Sequence, residues 1–332
     1  MTDGSPFRHS PSAIRHSAAL LAAALICGVA SAQPYPGSRP VRIIVPFSPG
    51  SGIDTLARSF AARLGDRWHA SVIVDNRAGA SANIGHELAA AATPDGHTLL
   101  LTAATFVTNA AVNRSQRYDP VRNFAPVVLI ATGVQSLAVP ASSPARTTRD
   151  FVAMAKDQPG KLHYGSPGVG TPHHLVMEQF KLEAGMNIVH VPYKGFAGAI
   201  TDFIAGRVDV MVMPVSAVAP HVQGGRARVL AVMALERSPV FPAVPTLAQE
   251  GYPNVQASNW YALLAPAGTP TAIVERLNRE VNALLEDASI RDALVKQGFN
   301  PAGGAPARLS DQLRAEQQRW QRIVEQAKIR AE

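Results

Sequence analysis

The stretch from Val41 to Leu64, VRIIVPFSPGSGIDTLARSFAARL, constrains the fold more than any other part of this chain. It opens with a short apolar run, Val41 to Val45, of the β-branched kind that lies buried inside a parallel sheet. Prolines and glycines at 46–52 break this pattern, and apolar residues from Leu56 to Leu64 then recur at the i, i+3, i+4 spacing of an amphipathic helix. The stretch therefore predicts a strand, a glycine-rich loop and a helix start.

Such a unit gathers free main-chain N–H groups and the positive end of a helix dipole beyond the carboxyl end of a strand. An anion is the expected ligand of this arrangement. No Gly-Lys-Ser/Thr follows the loop and its glycine spacing does not match the dinucleotide fingerprint, so a nucleotide site is not indicated. A tight turn in which the glycines serve only the backbone remains an open alternative, because one glycine-rich turn is a weak signal.

The N-terminal segment has the pattern of a secretory signal. Arg8 and Arg15 precede an apolar run at 18–30, which closes with Ala30-Ser31-Ala32. We expect export and cleavage after Ala32. A membrane-spanning helix is the alternative, but the run is shorter than the roughly 20 residues that a bilayer core requires. The single cysteine, Cys27, lies in this segment, so no disulfide or thiolate nucleophile is expected after cleavage.

The charge distribution argues against a nucleic-acid surface. The chain has 31 basic and 24 acidic residues, a formal net charge of +7, but the Lys and Arg residues are scattered without a basic run or interleaved aromatics. We expect a mild bias toward anionic solutes instead. The roughly 300 residues that follow the signal exceed what one core comfortably organises, so two domains are predicted.

The remaining pattern alternates strands and helices. Strand candidates at 71–75 and 98–102, with a helix at 84–92 between them, complete a parallel, right-handed βαβαβ half. Apolar segments at 124–131 and 135–139, and again from Val255 to Leu264, are predicted to cross between domains. A long C-terminal helix from Pro306 to about Lys328 carries Leu309, Leu313, Trp320, Ile323 and Val324 near helical spacing and should pack on the first domain.

A second strand, small-residue loop and helix start occurs at 161–182, with the loop Gly165 to Pro172. Two α/β domains that each present such a loop could hold an anion from both sides of a cleft. Ser166 is the alternative candidate, as a hydrolase nucleophile, but Tyr164 replaces the first glycine of G-x-S-x-G. His173 and His174 lack metal-ligand spacing, so a structural or solvent-facing role is favoured and no metal is predicted.

An ordered set of motifs then points to a family. These are PFSPGSGID, VIVDNRAGASANIG, PDGHTLL, YGSPGVGTPHHL, HVPYKG, GRVDVM, VPTLAQEGYP, WYALLAPAGTP and the helix with Trp320, from about residue 35 to the end. On these motifs the chain resembles the Bug family of extracytoplasmic solute receptors, the TctC-like binding proteins of tripartite tricarboxylate transporters.

The resemblance implies an α/β, two-lobed type II periplasmic-binding-protein fold, with a ligand cleft between lobes joined by two crossing strands. Lobe 1 would comprise residues 33–132 and 256–332, and lobe 2 residues 133–255. The implied function is periplasmic capture of a small carboxylate, an organic acid or an acidic amino acid, for the membrane subunits of a tripartite tricarboxylate-type transporter. We expect a monomer without catalysis, cofactor or nucleic-acid partner. A sensor feeding a membrane signalling system and a secreted hydrolase are the alternatives.

The resemblance also implies a set of ligand-binding residues. In the family the first loop holds one ligand carboxylate, partly through ordered waters, and the facing lobe decides specificity. The matching positions are Phe47, Ser48, Pro49, Gly50, Ser51, Gly52 and Asp54, with Thr102 and Thr105 in the same lobe, and Ser166, Gly168, Gly170, Thr171, Tyr193, Pro214 and Ser216 in the other.

Two of these positions carry open questions. Ser51 stands where the family commonly has a second glycine, so it either adds a hydroxyl contact or crowds the water-bridged geometry. Asp54 either stabilises the helix start or pairs with the ammonium group of an amino-acid solute, and the structural role is favoured because a carboxylate opposes anion capture.

Overall fold

The computed structural model describes residues 1–4, 35–113 and 115–330. The predicted signal, with its cleavage site after Ala32 and with Cys27, lies outside the described residues apart from the first four. Within the described ranges, no helix combines the length and the apolar character that are needed to cross a membrane.

Strands and helices alternate along most of the described chain. The strands are β1 (Val41–Val45), β2 (Val72–Asn76), β3 (Thr98–Ala103), β4 (Phe124–Pro140), β5 (His163–Ser166), β6 (Val189–Pro192), β7 (Val210–Pro214), β8 (Ala227–Val232), β9 (Ser258–Pro266) and β10 (Phe299–Pro301). The helices are α1 (Gly52–Trp68), α2 (Asn83–Ala90), α3 (Thr105–Val112), α4 (Thr148–Asp157), α5 (Pro172–Ala184), α6 (Phe196–Ile204), α7 (Val215–Gln223), α8 (Thr271–Leu285), α9 (Ala288–Lys296) and α10 (Pro306–Gln326), with a 3-10 turn at Ala80–Ala82.

The strands form one curled sheet in the order β2-β1-β3-β9-β4-β7-β5-β6, and β8 and β10 also pair with β4. In the first half, β1 pairs in parallel with β2 on one side and with β3 on the other. In the second half, β5 pairs in parallel with β6 and β7. The predicted parallel βαβαβ unit is therefore confirmed, and a second parallel unit follows it.

The strand β4 belongs to both halves. Its residues 124–134 pair with β9, while residues 135–140 pair with β7 and β8. The sequence predicted two separate apolar segments here, 124–131 and 135–139, but the structure has one strand of 17 residues. Gly133 does not break the strand; a Cβ there would lie 3.3 Å from the Phe299 ring, so glycine instead lets β10 pack closely.

Helices cover both faces of the first half of the sheet. Ile43 and Leu99 belong to a core cluster with α1, α8 and α9, while Ile44 and Leu100 belong to a second cluster with α2, α3 and α10. Consecutive side chains of a strand point to opposite faces, so burial on both faces requires the unbroken apolar runs that the sequence shows.

The C-terminal helix α10 lies against β4 and α3 of the first half, as predicted, and it also contacts α5 of the second half. The five apolar residues that the sequence places on one face of this helix are all buried. Their cluster includes Phe180 of α5 and Tyr164 of β5, so one continuous core extends through both halves.

The helix α2 packs closely under the loop that follows β1. A Cβ at Gly85 would lie 2.7 Å from Cβ of Pro46 and 2.9 Å from the Arg77 carbonyl oxygen. We expect Gly85→Ala to lower the free energy of unfolding by about 1–3 kcal/mol, because backbone atoms must move to admit the methyl group.

Denaturant unfolding of both variants measures this effect against Gly198→Ala. Gly198 is exposed on α6 and a Cβ there meets only ordinary contacts, so this control should be neutral or stabilising by up to about 1 kcal/mol. Equal stability of the two variants would contradict the close approach of α2.

Candidate functional site

The start of α1 leaves main-chain donors without acceptors. Gly50 has φ +80°, and the 17-residue helix then begins at Gly52 with Ser51 as its N-cap residue. The Ser51 side chain makes no capping hydrogen bond. Among the described residues, the N–H groups of Gly52, Ile53 and Asp54 have no hydrogen-bond acceptor. These donors stand at the positive end of the helix dipole, as an anion site requires.

The Asp54 carboxylate accepts its hydrogen bonds from neighbouring groups of the protein. Its Oδ2 accepts hydrogen bonds from the Gly50 N–H at 2.8 Å and from Arg58 Nε at 3.0 Å, and its Oδ1 accepts from Asn76 Nδ2 at 2.8 Å. Asn76 also donates to the Phe47 carbonyl oxygen at 3.1 Å. Asp54 is buried, which opposes its ionisation, but the hydrogen bonds to Arg58, Gly50 and Asn76 outweigh burial and lower its pKa. Asp54 therefore holds the loop, and the Gly50 N–H is not free for a ligand.

A cavity of about 250 Å³ lies at the start of α1, between the two halves. It is lined by Phe47, Ser51, Gly52, Ile53, Ala103, Thr105, Pro167, Thr171, Pro172, His173, Phe196, Asn259 and Tyr261. We call this space the inner cavity. None of these lining residues is an Asp, Glu, Lys or Arg, so an anion here depends on main-chain N–H groups and neutral side chains.

Several polar groups in the wall of the inner cavity lack partners. Ser51 Oγ, Thr105 Oγ1 and both ring nitrogens of His173 are buried without a hydrogen bond among the described residues. Tyr261 stacks on Phe299, with ring centroids 4.3 Å apart, and burial raises the pKa of its phenol to about 12. Unpaired buried polar groups are costly, so their convergence on one cavity indicates a ligand.

The facing loop, between β5 and α5, is capped more completely than the loop before α1. Thr171 Oγ1 accepts from the His174 N–H at 3.4 Å and donates to the Gly168 carbonyl oxygen at 2.8 Å. Pro172 is the first helical residue and has no N–H to offer. Of the three main-chain positions at this helix start, only the His173 N–H has no acceptor among the described residues.

Ser166 lies behind this loop, not in the cavity. It is fully buried, and its Oγ shares a hydrogen bond of 2.7 Å with His190 Nε2. Burial, reinforced by the neighbouring His174, lowers the pKa of His190 to about 3. The His174 ring stacks on His190 and its Nδ1 accepts from the Gly170 N–H at 3.1 Å. The Ser166–His190 pair thus supports the loop and gives a substrate no access to the hydroxyl.

A second, larger cavity of about 670 Å³ adjoins the inner one and shares Pro167 and Thr171 with it. We call it the outer cavity. Gly168, Gly170 and Tyr193 line it, together with Lys194 and, across the cleft, Asn109. The Tyr193 hydroxyl donates to Asp202 at 2.8 Å.

The structure separates the residues expected from the sequence into two groups. Those that line one of the two cavities are Phe47, Ser51, Gly52, Thr105, Gly168, Gly170, Thr171 and Tyr193. Those that lie outside both linings are Ser48, Pro49, Gly50, Asp54, Thr102, Ser166, Pro214 and Ser216.

The residues outside the cavities have other contacts or positions. Ser48, Pro49 and Gly50 are exposed on the loop. Thr102 is fully buried, and its Oγ1 shares a hydrogen bond of 2.8 Å with His86 Nε2. Pro214 pairs with Gln135 at the end of β7, and Ser216 Oγ donates to the Gln297 carbonyl oxygen of the opposite half at 3.2 Å.

The sequence missed His173, Phe196, Asn259 and Tyr261 as cavity residues. Asn259 and Tyr261 flank the buried Trp260 on β9. Because alternate residues of a strand share a face, this spacing was a usable signal that Asn259 and Tyr261 point the same way. His173 is buried, so the expectation of a solvent-facing ring does not hold for it. Among the described residues, no group of three or more His, Cys, Asp or Glu residues could hold a metal ion.

Residues 56–329 match the family model described as the tripartite tricarboxylate transporter family receptor, TctC. The chain belongs to this family. It is also 35% identical to protein BugT of Bordetella pertussis over 306 residues, which covers 92% of this chain and 94% of BugT. The resemblance inferred from the sequence motifs is therefore confirmed.

Solved structures of this family have the same fold. Rpa4515 of R. palustris, solved with adipate, superposes with a TM-score of 0.75 at 36% identity and covers 89% of this chain and 99% of that one. MatC from Rhodopseudomonas palustris, solved with bound malate, gives a TM-score of 0.73 at 28% identity over 86% of this chain and 99% of that one. The fold is the two-lobed periplasmic-binding-protein fold, and the family is one of periplasmic solute receptors.

The contacts of Asp54 predict a pH-dependent contribution to stability. Since its folded-state pKa is lowered, the ionised form stabilises the protein above the unfolded pKa of about 4, and this contribution is lost as pH falls through the folded value. We expect Asp54→Asn to lower the free energy of unfolding by about 1–3 kcal/mol at pH 7, with a smaller difference from wild type below about pH 4.

Urea unfolding at several pH values measures this difference. Asp66→Asn is the matched control, because Asp66 is exposed near the end of the same helix and its neutralisation should change stability by less than about 0.5 kcal/mol. A difference between Asp54→Asn and wild type that stays constant with pH would contradict the role given to the carboxylate.

Proposed function

We propose that this protein captures a small carboxylate in the periplasm and delivers it to the membrane subunits of a tripartite tricarboxylate-type transporter. The ligand carboxylate lies at the start of α1 in the inner cavity. The two lobes, residues 33–132 with 256–332 and residues 133–255, close over it. Export relies on the N-terminal signal, with cleavage after Ala32.

The observation that carries this proposal is the set of unpaired donors at the start of α1. Within the part of the chain that the structure describes, Gly52, Ile53 and Asp54 present N–H groups without acceptors, and the uncapped Ser51 hydroxyl lies beside them in the wall of a cavity. A carboxylate satisfies several such donors at once and gains from the helix dipole. Two relatives were solved with small carboxylates, adipate and malate.

The site favours binding over chemistry. The hydrolase alternative needs an accessible nucleophile, and Ser166 is fully buried with its hydroxyl engaged by His190. The inner cavity instead offers neutral donors in an apolar wall, which is the composition of a binding pocket.

A thermal-shift screen of the mature protein against aliphatic, aromatic and amino-acid carboxylates tests the ligand class. A solute that binds only the folded state raises the unfolding temperature, so at least one carboxylate should give a concentration-dependent rise without being converted. Failure of every carboxylate in a broad panel would refute the proposed function.

The variant Ser51→Asp tests the location of the site. Aspartate is a favourable N-cap residue, so the fold should be retained, but its charge would lie beside the ligand carboxylate. We expect binding of the best carboxylate to weaken about a hundredfold, by like-charge repulsion in a cavity sheltered from water. Titration calorimetry measures the affinity.

Thr55→Asp is the matched control for this variant. Thr55 is exposed in the same helical turn and does not line the inner cavity, so the same added charge should change the affinity by only a few-fold. Equal losses in both variants would point to a general charge effect, and unchanged binding in Ser51→Asp would remove the start of α1 from the site.

A further inference from the structure

Among the described side chains that line the inner cavity, His173 has the most buried polar atoms without a hydrogen-bond partner. It is 6% exposed, and neither ring nitrogen has a hydrogen-bond partner among the described residues. The ring packs edge-on against Phe196, with centroids 4.7 Å apart. Burial lowers the pKa of this imidazole to about 3, so the ring is neutral at physiological pH. A neutral imidazole presents one N–H donor and one acceptor nitrogen.

The two ends of the inner cavity differ in their capacity for negative charge. At the α1 end, three main-chain N–H groups and the Ser51 hydroxyl have no partner in the described ranges. At the α5 end, Pro172 has no N–H and Thr171 caps His174, which leaves the single N–H of His173. One end therefore suits a full carboxylate, while the other offers few donors to a second charge.

The wall around His173 is otherwise apolar. Pro167, Pro172 and Phe196 line this end of the cavity beside it. A second carboxylate here accepts a hydrogen bond from the protonated ring nitrogen but leaves the acceptor nitrogen facing an anion. A hydroxyl or an amide both donates and accepts, so it complements a neutral imidazole of either tautomer.

Lys194 is the cationic side chain that a second carboxylate could reach instead. It lines the outer cavity and not the inner one, and it is the one Lys or Arg among the described residues that line these two spaces. A dicarboxylate would have to extend from the inner into the outer cavity to meet it.

Resting on the proposed function, we propose that His173 is a specificity-determining residue that selects carboxylates carrying a neutral donor–acceptor group, such as a hydroxyl, at the end opposite the carboxylate. The ligand has an apolar body between these two groups. It is a hydroxy acid or a related amide acid, and dicarboxylates bind more weakly.

Two matched ligand series test this selection by titration calorimetry. The aliphatic series is hexanoate, 6-hydroxyhexanoate and adipate, and the aromatic series is 4-methylbenzoate, 4-hydroxybenzoate and terephthalate. Within each series only the end group changes: it is methyl, hydroxymethyl or carboxylate in the aliphatic series, and methyl, hydroxyl or carboxylate in the aromatic series. In at least one series, we expect the hydroxy acid to bind about tenfold more tightly than the other two, because only the hydroxyl satisfies a buried neutral imidazole.

Variants at residue 173 connect the preference to this side chain. We expect His173→Phe to keep the apolar contact with Phe196 and to abolish the advantage of the hydroxy acid over the methyl acid, while the methyl acid binds within about threefold of its wild-type affinity. His173→Gln restores a donor–acceptor group and should recover part of the advantage. His163→Phe is the matched control: His163 lies at the opposite end of β5, outside both cavities, and the order of affinities should not change.

Several results would overturn the inference while the proposed function stands. One is tightest binding of the dicarboxylate, above all if Lys194→Met removes that preference. Another is an equal loss for all three acids in His173→Phe, which would indicate a purely structural ring. A third is absence of binding by both series when other carboxylates stabilise the protein. If no carboxylate in the broad screen binds, the proposed function itself fails.

Discussion

The geometry of this site depends on main-chain N–H groups at the start of α1 that have no acceptor in residues 35–113 and 115–330. A helix start normally receives a side-chain cap, but Ser51 makes no capping bond and Asp54 reaches back to the Gly50 N–H instead. The carboxylate that could cap the helix therefore fixes the preceding loop. Because Asn76 joins Asp54 to the Phe47 carbonyl oxygen, the ends of β1 and β2 and the loop are held as one rigid unit. The donors stay in place without a ligand, which reduces the ordering cost of binding.

The second half supports its own loop by a different device. Neutral, stacked histidines lie beneath residues 166–171, with Ser166 bonded to His190 and Gly170 bonded to His174. This buried polar layer fixes the loop from behind, so the side chains that face the cleft need not hold the backbone. The two lobes thus present rigid walls with unequal numbers of free donors. This inequality favours one orientation of the ligand, with its carboxylate at the α1 end of the inner cavity.

Much of this could be predicted from the sequence, and the exceptions have physical reasons. The strand, loop and helix at 41–64 were readable because an apolar run, glycines and a helical period follow one another directly. Both helix starts were visible to within two residues, since the sequence placed Asp54 at the first and His173 at the second, whereas the helices begin at Gly52 and Pro172. The roles of Ser166 and Thr102 were not visible, because both residues lie in the last two positions of buried strands and the sequence does not show that His190 and His86 fill the space beside them. One expectation, a structural or solvent-facing role, covered both His173 and His174, because the two residues are adjacent and have the same local pattern. Their contacts differ: the His173 ring packs against Phe196 in the wall of the inner cavity, while His174 accepts from the Gly170 N–H. The three residues of β10 are too few to give a pattern, and their pairing with β4 is a tertiary effect.

The turn at Gln297 and Gly298 joins the two halves across the cleft. Ser216 of the second half donates to the Gln297 carbonyl oxygen, and a Cβ at Gly298 would lie 2.1 Å from Cβ of Ser216. The same Gln297 extends its side chain over Gly52, at the inner cavity. The halves therefore touch beside the inner cavity, and they approach each other again at the outer cavity, where a Cβ at Gly170 would lie 3.2 Å from Asn109 Oδ1. A solute can thus reach the start of α1 only when the two lobes move apart.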